Sequence, residues 1–221
     1  MPPSGGFLWT QFMKRPMPPK TLLDINPFDA VSFEPAQELK EWILNTFIDD
    51  EGALHNPDHA HISPWDDDLF KVLWASSAFI KADKVVLGQT EKFAPMAGGW
   101  RKLRQEKQML DWFGCIPDFV ITIDAQYASQ ASDTDFCALI EHELYHLGAK
   151  RDEDGNYLIS PSTGEYKYYL RPHDVEEFYG VVQRYGASES VQKMVDLANN
   201  GPTIRKANIA HACGTCLLKL A

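Results

Sequence analysis

The sequence predicts an α+β domain. Apolar residues recur at helical spacing in several stretches, one run is rich in β-branched residues, and paired Gly-containing turns mark a hairpin. Residues 1–20 hold five prolines and two glycines, which predicts a loose arm. The core domain is expected over residues 21–186, and a C-terminal extension over 187–221.

From Pro35 to Ile48, Leu39, Trp42, Ile43 and Phe47 share one helical face. The loop HNPDHAHISPWDDD follows; His55, His59 and His61 have metal-like spacing, but its Asn, Pro, Asp and Ser residues predict a solvated turn, with a second metal site as the alternative. Leu69 to Ile80 reads as a second, largely buried helix, Lys84–Leu87 as a short strand, and Trp100–Phe113 as a helix with a basic outer face. Asp118–Ala125 (DFVITIDA) is the best strand in the chain. Residues 132–148 form the next helix, with Ser132 and Asp135 at capping-box spacing and Gly148 as its C′ glycine. Asp154-Gly155 and Thr163-Gly164 then turn a hairpin. A helix is expected from Asp174 to about Tyr185, with Asp174 and Glu177 at capping-box spacing, and then a short helix and a tail.

Charge and cysteine usage narrow the functional classes. Twenty-one basic against thirty-one acidic residues give a net charge of -10, which disfavours broad electrostatic binding of nucleic acid. No apolar run approaches the roughly 20 residues needed to cross a bilayer, and the N-terminus lacks the apolar core of a secretory signal. The four cysteines do not form a disulfide framework. A cytoplasmic protein without a membrane partner is expected.

His142-Glu143-Leu144-Tyr145-His146 is an H-E-x-x-H. Residues four apart on a helix lie one above the other, so both imidazoles can reach one ion, and zinc accepts neutral imidazole nitrogen. Stepping about 100° per residue from His142 places His146 at about 40° and Glu143 at about 100°. Phe136, Leu139, Ile140 and Leu147 occupy about 60–160° on the same wheel. A carboxylate in an apolar stripe costs several kcal/mol unless something compensates, and a cation beside it would do so. There Glu143 is the candidate general base, taking a proton from a water activated by the metal.

Catalytic zinc ordinarily takes a third protein ligand. Ala149 and Asp152 stand where a metzincin needs Gly and His, so that pattern is excluded. Glu165 lies in a Gly-containing turn, a poorly fixed place for a ligand, and Glu177 is a further candidate. His173 is favoured, because it follows Pro172, precedes a capped helix, and would be carried back across the first helix by the hairpin.

Together, DFVITIDA, EHELYHLG and RPHDVEEF resemble the phage metallopeptidase family, over roughly Leu22 to Gly186. The resemblance implies a zincin-like fold, a Zn2+ cofactor held by His142, His146 and His173, Glu143 as catalytic base, and a protein or peptide substrate. It also implies a bacterial or phage-infected cell. Zincins pair an extended substrate with a sheet edge near the strand that precedes the metal helix, which implies Asp118–Ala125 or a neighbour here. Arg171, Tyr168, Tyr169 and Tyr179 are the candidate oxyanion donors.

Two rival functions stand beside zinc-dependent peptide hydrolysis. One is a catalytically silent zincin-fold interaction or regulatory protein. The other is a nucleic-acid-associated protein acting through helix 100–113, where Arg101, Lys102, Arg104 and Lys107, with Lys92 nearby, otherwise read as a solvated helix face. His211, Cys213 and Cys216 read first as an inert tail, with a second metal site, a dimer contact or redox chemistry at the C-x-x-C as the alternatives. Cys137 lies about 180° from His146 on the wheel and is expected to pack rather than ligate.

Overall fold

In the computed structural model the described residues are 14–24, 30–81, 84–94, 98–175 and 179–207. A four-stranded sheet organises them. Its order is β1 (Phe33–Pro35), β2 (Phe70–Ala75), β6 (Phe119–Asp124), β5 (Gly88–Lys92). β2 and β6 are parallel, whereas β1 and β5 run antiparallel to their neighbours at the two edges. β3 (Phe79–Lys81) and β4 (Lys84–Val86) form a separate hairpin. β7 (Leu147–Ala149) and β8 (Tyr168–Leu170) form another, extended by the bridges Arg151–Tyr157 and Ile159–Tyr166.

Side-chain alternation divides the sheet's two faces. Phe70, Val72 and Trp74 on β2, with Phe119, Ile121 and Ile123 on β6, point into the main core. Facing them are α1 (Gln37–Ile43, continued by a π-turn at Leu44–Ile48), α3 (Ala125–Gln130) and α4 (Asp133–Tyr145). Leu39, Ile43 and Phe47 supply the stripe read from α1, and Phe136, Leu139, Ile140 and Leu144 that of α4. The opposite face is thinly covered. There α2 (Gly99–Phe113) contributes Met109, which packs with Leu73 and Val120 in a small second cluster. α5 (Tyr179–Tyr185) and α6 (Glu189–Asn200) complete the described chain, and α6 buries no residue.

Several expectations are corrected. Leu69–Ile80 is not a helix: Phe70–Ala75 is β2, and Phe79–Ile80 begin β3. All six residues of β2 are buried, because the strand is covered on both faces. A continuous apolar run of that kind carries no period to separate strand from helix. Gly148 is not a left-handed C′ glycine, since α4 ends at Tyr145, His146 is its C-cap, and Gly148 lies in β7. A Cβ there would stand 2.7 Å from the Tyr169 ring, so the glycine serves close strand packing. The expected solvated loop also buries His59 and His61, at 1% and 8% exposure. It still turns as its composition suggests, with Asn56 capping the 3-10 turn Pro57–His59, but α4 and β7 pack over it.

Residues 14–20, assigned by sequence to the arm, lie in part against the domain. Arg15 donates to Asp133 and to the carbonyls of Ala128 and Ala131, with its guanidinium over the Phe136 ring. It thereby satisfies carbonyls at the end of α3 that have no helical partner. Residues 1–13 lie outside the described part of the chain, as do Glu177, His211, Cys213 and Cys216. Among the described residues no helix is long and apolar enough to cross a membrane.

Candidate metal centre

α4 begins where its sequence says it should. The Ser132 hydroxyl accepts from the Asp135 N–H, and Asp133 and Asp135 occupy the first turn, where carboxylates complement the helix dipole. Its last turn delivers His142 and Tyr145 to a cleft of about 330 Å³, with His146 as its C-cap. Arg171, Pro172 and His173 form the opposite wall.

His142, His146 and His173 each bring a ring nitrogen within 4.8 Å of the other two. Nε2 of His173 and Nε2 of His142 are 3.2 Å apart, and the ring centroids are 5.0–5.3 Å from one another. Two reciprocal bonds hold this arrangement. The Arg171 N–H donates to the His146 carbonyl at 2.9 Å, and His146 Nδ1 donates to the Arg171 carbonyl at 2.7 Å. A ring nitrogen facing a carbonyl must carry the proton, so Nε2 of His146 presents its lone pair. This backbone carbonyl orienting a ring is the usual support for a ligating histidine. Burial, followed by the nearby His146 and His173 rings, lowers the His142 pKa to about 4, which leaves a neutral donor at ordinary pH. Donor type, tautomer and convergence therefore fit a divalent ion.

Glu143 is fully buried and turned towards β5. The Thr90 hydroxyl lies 2.8 Å from Glu143 Oε2 and 2.9 Å from the Glu143 carbonyl, and its one proton serves one of them at a time. A Cβ at Gly88 would stand 3.1 Å from Glu143 Oε1 and 3.0 Å from Leu139, so this glycine lets α4 lie close on the strand. Neither Thr90 nor Gly88 was singled out from sequence. The available signal was a glycine two residues before a threonine, without the apolar alternation that marks a strand.

The other candidates separate. Glu165 is exposed in the hairpin turn and does not line the cleft. Among the oxyanion candidates, Tyr168 is buried with its hydroxyl donating to the His61 carbonyl, and Tyr179 is almost fully exposed. Arg171 lines the cleft and donates to Asp174. Asp118–Ala125 is no sheet edge, because β6 pairs on both sides, and its neighbour β5 is the edge. Lys92 does not join the basic face of α2: its ammonium donates to the Tyr168 carbonyl. On that face Lys102 and Lys107 pair with Glu106 and Asp111. Cys137 is buried in the core, and burial pushes its thiol up to about 12.

The loop before β2 supports α4 from outside. Asn56 donates to Glu141 and to the Tyr145 hydroxyl, which in turn donates to Asp58. The His59 ring packs on Tyr145, and His61 donates from Nε2 to the Leu147 carbonyl. His55 bonds instead to the Asp49 carbonyl, so this triplet does not converge.

No curated protein and no solved structure matches the chain. A family described as "Putative phage metallopeptidase" matches residues 40–199, a span that runs from α1 through the histidine cluster into α6. The chain belongs to that phage metallopeptidase family.

Proposed function

We propose that the protein is a zinc-dependent peptidase with a zincin-like catalytic unit within residues 21–186. The arm before it and the extension 187–221 are accessory. His142, His146 and His173 are the zinc ligands and Glu143 is the general base. The observation that carries this reading is the meeting of three imidazoles beside a buried glutamate that rests on an antiparallel edge strand. Two imidazole nitrogens bound tetrahedrally to one zinc ion stand about 3.3 Å apart. The His142–His173 separation of 3.2 Å is close to that value.

Zinc at this place would supply Lewis-acid chemistry, acidifying a water and polarising a peptide carbonyl. The chain's own residues do the remainder. Glu143 accepts the proton from the attacking water and passes it to the departing amine. Thr90, bonded to the carboxylate, is a positioning residue. Arg171, in the cleft wall, faces the charge that develops on the carbonyl oxygen.

β5 aligns the peptide. In the β5–β6 ladder the Asp124 N–H donates to the Leu87 carbonyl and the Phe93 N–H to the Asp118 carbonyl. Alternation therefore turns the backbone groups of Gly88, Thr90 and Lys92 away from β6. As the last strand of the four-stranded sheet, β5 is the edge along which an extended substrate would align.

The test pairs elemental analysis with hydrolysis of a fluorescent casein substrate. About one zinc per chain is expected, and Glu143→Gln should keep the metal while losing at least about 100-fold in rate. A metal-free parent, or a Glu143→Gln variant as active as the parent, would overturn the proposal.

A further inference from the structure

The metal cleft has a wall that the proposed chemistry leaves unused. That chemistry gives the three imidazoles to the metal and the spare donors of Arg171 to the carbonyl oxygen. The other polar groups around the cleft are already engaged. Asp174 accepts from Arg171, and the Tyr145 hydroxyl donates to Asp58 and accepts from Asn56. What remains is apolar: Pro172 and Val175, on the segment that carries His173, and Met194 of α6.

α6 has the construction of such a wall. The Ser188 hydroxyl caps it by accepting the Val191 N–H. Val191, Met194, Val195 and Ala198 recur at i, i+3, i+4 and i+7 and share one face, whereas Glu189, Lys193 and Asp196 lie opposite. A surface helix ordinarily spends such a stripe on the core. α6 buries none of its residues, and Met194 is 49% exposed although it lines the cleft. Its apolar face is therefore not consumed by core packing. The family match runs on past the histidine cluster to residue 199, so it takes in α6 almost to its end. Methionine also suits a substrate wall, because its unbranched side chain adjusts to apolar partners of different shape.

On the peptidase reading above, we infer that Met194, with Pro172 and Val175, forms a specificity subsite for an apolar substrate side chain flanking the scissile bond, of the size of leucine or phenylalanine. The occupant is substrate because the same cleft is lined by His142, His146 and His173. α6 thus takes part in substrate selection, although it lies beyond the catalytic unit read from sequence. Aspartate or lysine at the same substrate position loses hydration and finds no partner, and alanine leaves the wall uncovered.

The experiment uses the zinc-loaded full chain and internally quenched peptides in which each position around the cleaved bond is leucine, phenylalanine, alanine, aspartate or lysine. Leucine and phenylalanine are expected to exceed alanine by about tenfold in kcat/KM at one position, the order of a few methylenes in an apolar pocket. Met194→Ala should reduce that ratio to about twofold, and Met194→Glu should shift the preference from leucine to lysine. Absence of an apolar preference at every position would overturn the subsite, as would a ratio unchanged in both variants. An equal gain on every peptide in Met194→Ala would also overturn it, since Met194 would then obstruct the cleft without selecting. A parallel arm measures binding of fluorescein-labelled versions of the same peptides to Glu143→Gln by anisotropy. If the parent cleaves none of them, this arm still decides. Tighter binding of the leucine peptide, lost on adding Met194→Glu, upholds the subsite while the peptidase reading fails. Equal binding of all peptides overturns the subsite.

Discussion

Two histidine triplets of this chain invite comparison. His55, His59 and His61 sit within seven residues, whereas His173 is twenty-seven residues beyond His146. The compact triplet scatters: His55 bonds near the surface, His59 packs on Tyr145, and His61 ties its loop to β7. The dispersed triplet converges on one point. Sequence proximity thus matters less than the element that carries each ring. An α-helix stacks His142 and His146, and a paired hairpin returns His173 above them. The 3-10 turn at Pro57–His59 offers no such repeat, and its neighbours draw the rings into separate contacts.

The comparison breaks most readily at the metal. Alanine at His142, His146 or His173 should lower zinc affinity more than about 100-fold, whereas alanine at His55, His59 or His61 should leave about one zinc per chain. Plasma emission spectrometry reads this directly, and loss of metal on replacing His61 would erase the distinction.

The next effect concerns stability. His59→Ala empties a site that is 1% exposed beneath Tyr145, and should cost about 2–4 kcal/mol in urea unfolding of the metal-loaded protein. An unchanged midpoint would mean that His59 does not support α4.

His59 also predicts a pH dependence. Burial first, then the neighbouring His61, lowers its pKa to about 4. The unfolded chain therefore takes up this proton near pH 6.5, while the folded chain resists until about pH 4. Stability from this residue is complete above about pH 6.5 and falls as the pH drops towards 4, by up to about 3 kcal/mol. The difference in unfolding free energy between the parent and His59→Gln should follow that slope, and a pH-independent difference would refute it.

The smallest effect is at Thr90. Thr90→Val removes a hydroxyl from a buried carboxylate and should cost about 1–2 kcal/mol, with kcat reduced more than KM is raised. Thr90→Ser should restore both, whereas a Thr90→Val enzyme with parental kcat would deny Thr90 a positioning role.

Legibility followed the range of the interactions involved. The capped α4, its apolar stripe, and the left-handed turns at Gly155 and Gly164 depend on neighbours a few residues away, and were read from spacing. β2 was misread because an all-apolar run records burial on both faces without saying what covers them. β5 was overlooked because GQTEK is a polar edge strand whose fit lies in contacts with α4. The burial of His59 and His61 was missed for a similar reason, since Asn56 and Pro57 announce a turn but not the helix that packs over it.

From residue order alone came an α+β chain and a helix presenting two imidazoles and a carboxylate, because a 3.6-residue repeat is local geometry. The meeting of His173 with that helix, the seat of Glu143 on Thr90 and the place of β5 at the edge of the sheet were settled by tertiary packing. Each depends on strand pairing between distant segments, and register and edge position arise only once those segments meet.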